Sequence, residues 1–100
     1  NYMQSNVHNK INILDDNVYN NLLNINMNEN INNFNKSLNG LENKYKINKS
    51  LILKNYITYL LNNRLDLLNS EMIRELEYII HNLDNEDLCI NYIYFCLRAN

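Results

Sequence analysis

Residues Leu83 to Cys96 read LDNEDLCINYIYFC. Acidic and amide residues give way to Cys-Ile-Asn-Tyr and then to a hydrophobic tail. The fold turns on how far the polar part extends. Tyr92 to Arg98 read as a short final helix with Phe95 as its anchor, whether the polar part before them is an oxygen-rich loop or a turn. If it is only a turn between helices, it belongs to a plain bundle. Phe95 and Leu76 are the residues expected at the centre of the core.

Working back from this stretch, Ser70 caps a fourth helix, with Glu71 in the first turn where the helix dipole favours a carboxylate. Met72, Ile73, Leu76, Ile79, Ile80 and Leu83 follow at helical spacing and make a wide apolar stripe. A third helix, capped by Ser50, turns Leu53, Ile57, Leu60 and Leu61 inward with help from Tyr56. Ile31, Phe34 and Leu38 carry a second helix that stops near Asn39 and Gly40, where glycine supplies a left-handed exit. Asp15 or Asp16 caps the first, with Val18, Leu22 and Ile25 as its stripe and Tyr19 and Leu23 beside it. The chain has no proline and one glycine, so little punctuates it and helix is the economical reading throughout. The fold class is all-α.

Composition narrows the function. Nine Lys and Arg against eleven Asp and Glu give a net charge of -2 in small alternating groups, which is not the concentrated basic field that nucleic acid requires. Lys44, Lys46, Lys49 and Lys54 read as a solvated face. No apolar run is long enough to span a membrane and no secretory leader is evident, so a soluble cytoplasmic protein without direct membrane insertion is expected. Cys89 and Cys96 are seven apart, and His8 and His81 are isolated, so the clustered ligands of a zinc site are missing. The thiols read as reduced and buried. Of the 100 residues 25 are asparagine, a bias that leaves the apolar periodicity intact and so permits a packed face.

In order and spacing, a loop ending YKINKSLI, a helix, LLNSEMIREL opening the next helix and then DLCINYIYF resemble the paired helix-loop-helix units of the EF-hand family. They are most similar to the carboxy-terminal lobe of the calmodulin-like myosin light chains of apicomplexan parasites. The resemblance implies a degenerate paired EF-hand lobe over residues 31–100, preceded by an Asn-rich segment, residues 1–30, with one additional amphipathic helix. It places Ile47 and Ile90 at the apolar eighth position of loops 40–51 and 83–94, where they would pair through short extended segments. Calcium needs several oxygen ligands and a bidentate carboxylate at the last loop position. Here the first loop offers Lys44, Lys46 and a final Leu51, and the second keeps Asp87 between Leu83 and a final Tyr94. No metal and no cofactor are therefore expected. Read without the resemblance, the same helices close into a small four- to five-helix bundle.

No motif links the serines, thiols and histidines into a nucleophile with an activating base, so the chain does not read as an enzyme. The resemblance implies a calcium-independent, light-chain-like subunit that grips an amphipathic helix of a motor or scaffold partner. Its groove would be lined by Ile57, Leu61, Met72, Ile73, Leu76, Ile93 and Leu97, for each of which core packing is the competing role. The alternative is a lineage-specific helical-bundle interaction module of a larger nuclear or regulatory protein. A third reading is a homodimer formed through apolar surface around Tyr92, Tyr94 and Phe95.

Overall fold

A computed structural model of the chain describes residues 14–98, which form five α-helices and no strand among the described residues. They are α1 (Asp16–Asn28), α2 (Ile31–Tyr45), α3 (Lys49–Asn63), α4 (Ser70–His81) and α5 (Glu86–Arg98), with one turn of 3-10 helix, Leu65–Leu67, between α3 and α4. The all-α bundle reading holds.

The asparagine bias reappears at the helix starts. Asp15 caps α1, its carboxylate accepting from the Asn17 N–H at 2.8 Å. The other four helices start behind an asparagine whose side-chain oxygen accepts from an N–H of the first turn: Asn30 from Asn33, Asn48 from Ser50, Asn69 from Met72 and Asn85 from Leu88. Asparagine is poor inside a helix but good just before one, because its short side chain reaches the unpaired N–H groups. The caps expected at Ser50 and Ser70 thus fall to Asn48 and Asn69.

Two boundaries differ more. The second helix does not stop at Gly40, whose φ is not positive; it runs on to Tyr45 and leaves through Lys46 in the left-handed conformation, φ 57°. Leu41 lies one turn after Leu38 and is half-buried against the core, which carries the helix across the glycine. The last helix starts at Glu86, six residues before Tyr92. Asn85 caps it and Glu86 and Asp87 occupy its first turn, where carboxylates favour a helix start. The polar part of the opening stretch is therefore a short corner followed by the helix's own first turn. Ile90 lies inside α5, so the extended pairing of Ile47 with Ile90 does not form; Ile47 is buried in the α2–α3 connection and both join one core.

The longer α5 also changes which side chains face inward. Cys89, Ile90, Ile93, Tyr94 and Leu97 are buried at helical spacing, and Phe95, expected as the anchor, is 60% exposed. Rotated about 100° from Tyr94 along the helix, Phe95 lies outside that stripe and forms a T-shaped pair with the Tyr94 ring, at 5.1 Å and 88°. Leu76 is fully buried, as expected.

Helix α3 is the hub. It carries apolar residues almost all round and packs against each of the other four helices. Helices α1, α2 and α5 close around one side of it, so the core continues across residue 30 into the Asn-rich segment through Tyr19, Leu22 and Leu23. Helix α4 rests chiefly on α3 and buries only Met72 and Leu76 fully.

Among the described residues one amide side chain sits in the core. Asn26 is fully buried, its Oδ1 accepting from the Tyr56 hydroxyl at 3.1 Å and its Nδ2 donating to the Tyr94 carbonyl at 3.4 Å. The Tyr94 hydroxyl donates to the Glu29 carbonyl at 2.7 Å, and Arg98 Nη1 donates to the carbonyls of Asn26 and Glu29 at 3.1 and 2.9 Å. The last turn of α5 thereby caps the end of α1, supplying donors to carbonyls that a helix C-terminus leaves unpaired.

Candidate functional site

Five of the seven side chains assigned to a partner groove are core: Ile57, Leu76 and Ile93 are 0% exposed, Leu97 1% and Met72 6%. A bundle of this size uses its large apolar residues to fill itself, and these five have no free surface to offer a partner. Leu61 and Ile73 are different. Both are half-buried and line one open groove of about 700 Å³ between α3 and α4, together with Leu65, Ile80 and Tyr78.

A second groove, of about 370 Å³, runs along the other flank of α4 towards α5 and is lined by Tyr78, Ile79, Leu83, Leu88 and Tyr92. Tyr78 stands between the two grooves at 62% exposure, and Leu88, at 66%, is the most exposed large apolar side chain among the described residues. Leu88, Tyr92 and Phe95 follow one another at helical spacing along α5 and extend this apolar surface beyond the groove.

The surface arises because the apolar stripe of α4 is wider than its support. Met72 and Leu76 point straight at α3; Ile73 and Ile80 fall to one side and Ile79 to the other, each half-buried. Sequence periodicity found the stripe but not its width relative to the neighbour. It also missed Tyr78, Leu65 and Leu88; Leu88 in EDLC stands at helical spacing from Tyr92 and Phe95, a signal legible only if the polar turn is helix.

The charged groups divide between the grooves. The α3/α4 groove has both signs, Arg74 and Glu77, on its lip. The α4/α5 groove is lined by Glu75 and Asp84 and by no lysine or arginine. Burial pushes the Tyr92 hydroxyl above its ordinary value, and the fields of Cys96, Glu75 and Glu71 push it in the same direction. Glu71 lies one turn before Glu75 on the same face of α4.

Chemistry-bearing groups elsewhere are tied into structure. The Ser50 hydroxyl donates to a Glu86 oxygen at 2.5 Å, joining the starts of α3 and α5. Both cysteines are free thiols, and burial pushes Cys89 up to about 12 and Cys96 up to about 11. Among the described residues no three His, Cys, Asp or Glu side chains gather as a metal site would require, and no helix is long and apolar enough to cross a membrane. No protein-family model, curated protein or solved structure matches the chain.

Proposed function

We propose that the chain is a non-catalytic protein-interaction module: a closed helical bundle whose outer α4 face receives an amphipathic helix of a partner protein. The observation that carries this reading is the half-buried stripe of α4, with Tyr78, Leu65 and Leu88 exposed along both of its flanks. A continuous apolar surface of this kind is costly in water unless something covers it, and a helix laid into a groove covers it with side chains at i, i+3, i+4 and i+7.

Between the two sequence readings, burial of Met72, Leu76, Ile57, Ile93 and Leu97 favours the closed interaction module over a light-chain-like clamp that would open those residues to its partner. A non-catalytic role is supported by the thiols, which burial keeps protonated and so poorly nucleophilic. The same surface would serve a motor or scaffold partner in the cytoplasm or a partner domain in a larger nuclear or regulatory protein, and the partner's identity decides between them.

The test is proximity labelling with the wild-type protein, a Tyr78→Asp/Leu88→Asp variant and a Tyr45→Asp control, whose exposed ring lies between α1 and α2. Partners lost with the double variant and kept with the control, and rebound in purified form through an amphipathic helical segment, are the expected result. Equal labelling by all three proteins would overturn the reading.

A further inference from the structure

The charge of the molecule is unevenly placed. Residues 66–87 contain seven of the eleven acids against Arg74 alone, whereas residues 36–54 contain five lysines against Glu42 alone. The acidic stretch includes all of α4 and the start of α5, so the apolar α4/α5 groove lies in the most negative part of the chain. Its floor is half-buried Ile79 and Leu83 with Leu88 exposed beside them; Glu75 and Asp84 line it, and Glu71 lies one turn before Glu75 on the same face of α4.

We infer that the α4/α5 groove selects a lysine- or arginine-bearing amphipathic helix, with apolar residues on the floor and cations facing Glu71, Glu75 and Asp84. This rests on the docking reading above and adds the chemistry of the partner. The apolar floor supplies attraction without preference among amphipathic helices. The rim supplies the preference, because a carboxylate-rich lip favours cations and opposes acidic helices, nucleic acid backbones and anionic lipid surfaces alike. The preference is electrostatic and exposed, so it weakens as salt rises. None of the seven residues that the light-chain resemblance assigns to a groove lines this one.

The experiment uses the isotope-labelled chain and two synthetic helices about five turns long with identical leucine faces, one flanked by lysine and the other by glutamate. Amide shifts on adding the lysine peptide should centre on Tyr78, Leu83, Leu88 and Tyr92, with the glutamate peptide at least about tenfold weaker. Glu71→Lys/Glu75→Lys should remove that difference, and Leu88→Asp should weaken both peptides; circular dichroism checks that each variant keeps its helix content. Equal binding of the two peptides to the wild type would overturn charge selection and leave the docking surface standing. Binding of neither would overturn both. Shifts at this groove that grow with the concentration of the chain alone would make a second copy the occupant and overturn a basic partner helix.

Discussion

Phe95 shows how the identity of a residue and its placement come apart. It is one of two phenylalanines in the chain, yet it is exposed while Tyr94 beside it is buried. Phe95→Ala should therefore cost less than about 1 kcal/mol in a denaturant titration, against about 2–5 kcal/mol for Leu76→Ala, which leaves a cavity under α4. Tyr56→Phe removes the donor to a fully buried Asn26 oxygen, and the same titration should show a loss of about 1–3 kcal/mol, since a buried acceptor left unpaired keeps its desolvation penalty. The thiols carry a pH prediction. Both are raised from 9.0 by burial, so the folded state holds their protons when the unfolded state has released them. Their contribution to stability is complete below pH 9 and is lost as pH rises from there towards the folded values, 11 to 12. Iodoacetamide labelling at pH 8 should accordingly be slow in the native state and fast in urea, with half-buried Cys96 reacting before Cys89.

At the scale of elements, the apolar periodicities identified all five helices, and the errors lie at their ends. Gly40 was read as a stop because glycine often ends helices, but a stop also requires the next apolar residue to leave the helical face, and Leu41 stays on it. Gly40 is therefore a weak point inside α2. A Cβ there meets nothing within 4 Å and φ is ordinary, so Gly40→Ala should stabilise the protein by about 0.4–1 kcal/mol, read as a rise in the unfolding midpoint. The start of α5 was hidden because acids and amides are what a loop uses and also what a helix uses for its cap and first turn. Helix α4 was the best defined in sequence and is the least supported in space, since periodicity reports that a face is apolar but not whether a neighbour covers it. Of the groove residues named from sequence only Leu61 and Ile73 lie on the open surface, and the α4/α5 groove depends on the first turn of α5, whose acids and amides read equally as loop. With two fully buried residues and one main neighbour, α4 should exchange its amide hydrogens faster than α3, and a bound helix should slow that exchange.

For the whole molecule, the two segments read as relic cation loops are mostly helix: residues 40–45 belong to α2, 49–51 to α3 and 86–94 to α5. Backbone carbonyls within helices are committed to N–H groups, and the remaining side chains include Lys44, Lys46, Leu83 and Tyr94. Calorimetric titration with calcium should give no stoichiometric heat at submillimolar concentration, and amide shifts in residues 40–51 and 83–94 should stay fixed.

The clasp between Asn26, Tyr94 and Arg98 joins residues 68 to 72 positions apart. A chain made from its N-terminus presents Asn26 early, but the carbonyl and guanidinium that complete its surroundings arrive only with the end of α5. Until then α1 cannot bury its polar core residue without loss, so helices α1 to α4 emerging from a ribosome have no finished structure to settle into. The domain is expected to fold in one step after Arg98 has cleared the exit tunnel. A nascent chain stalled before Tyr94 should stay protease-sensitive, while one extended by a linker beyond residue 100 should become resistant.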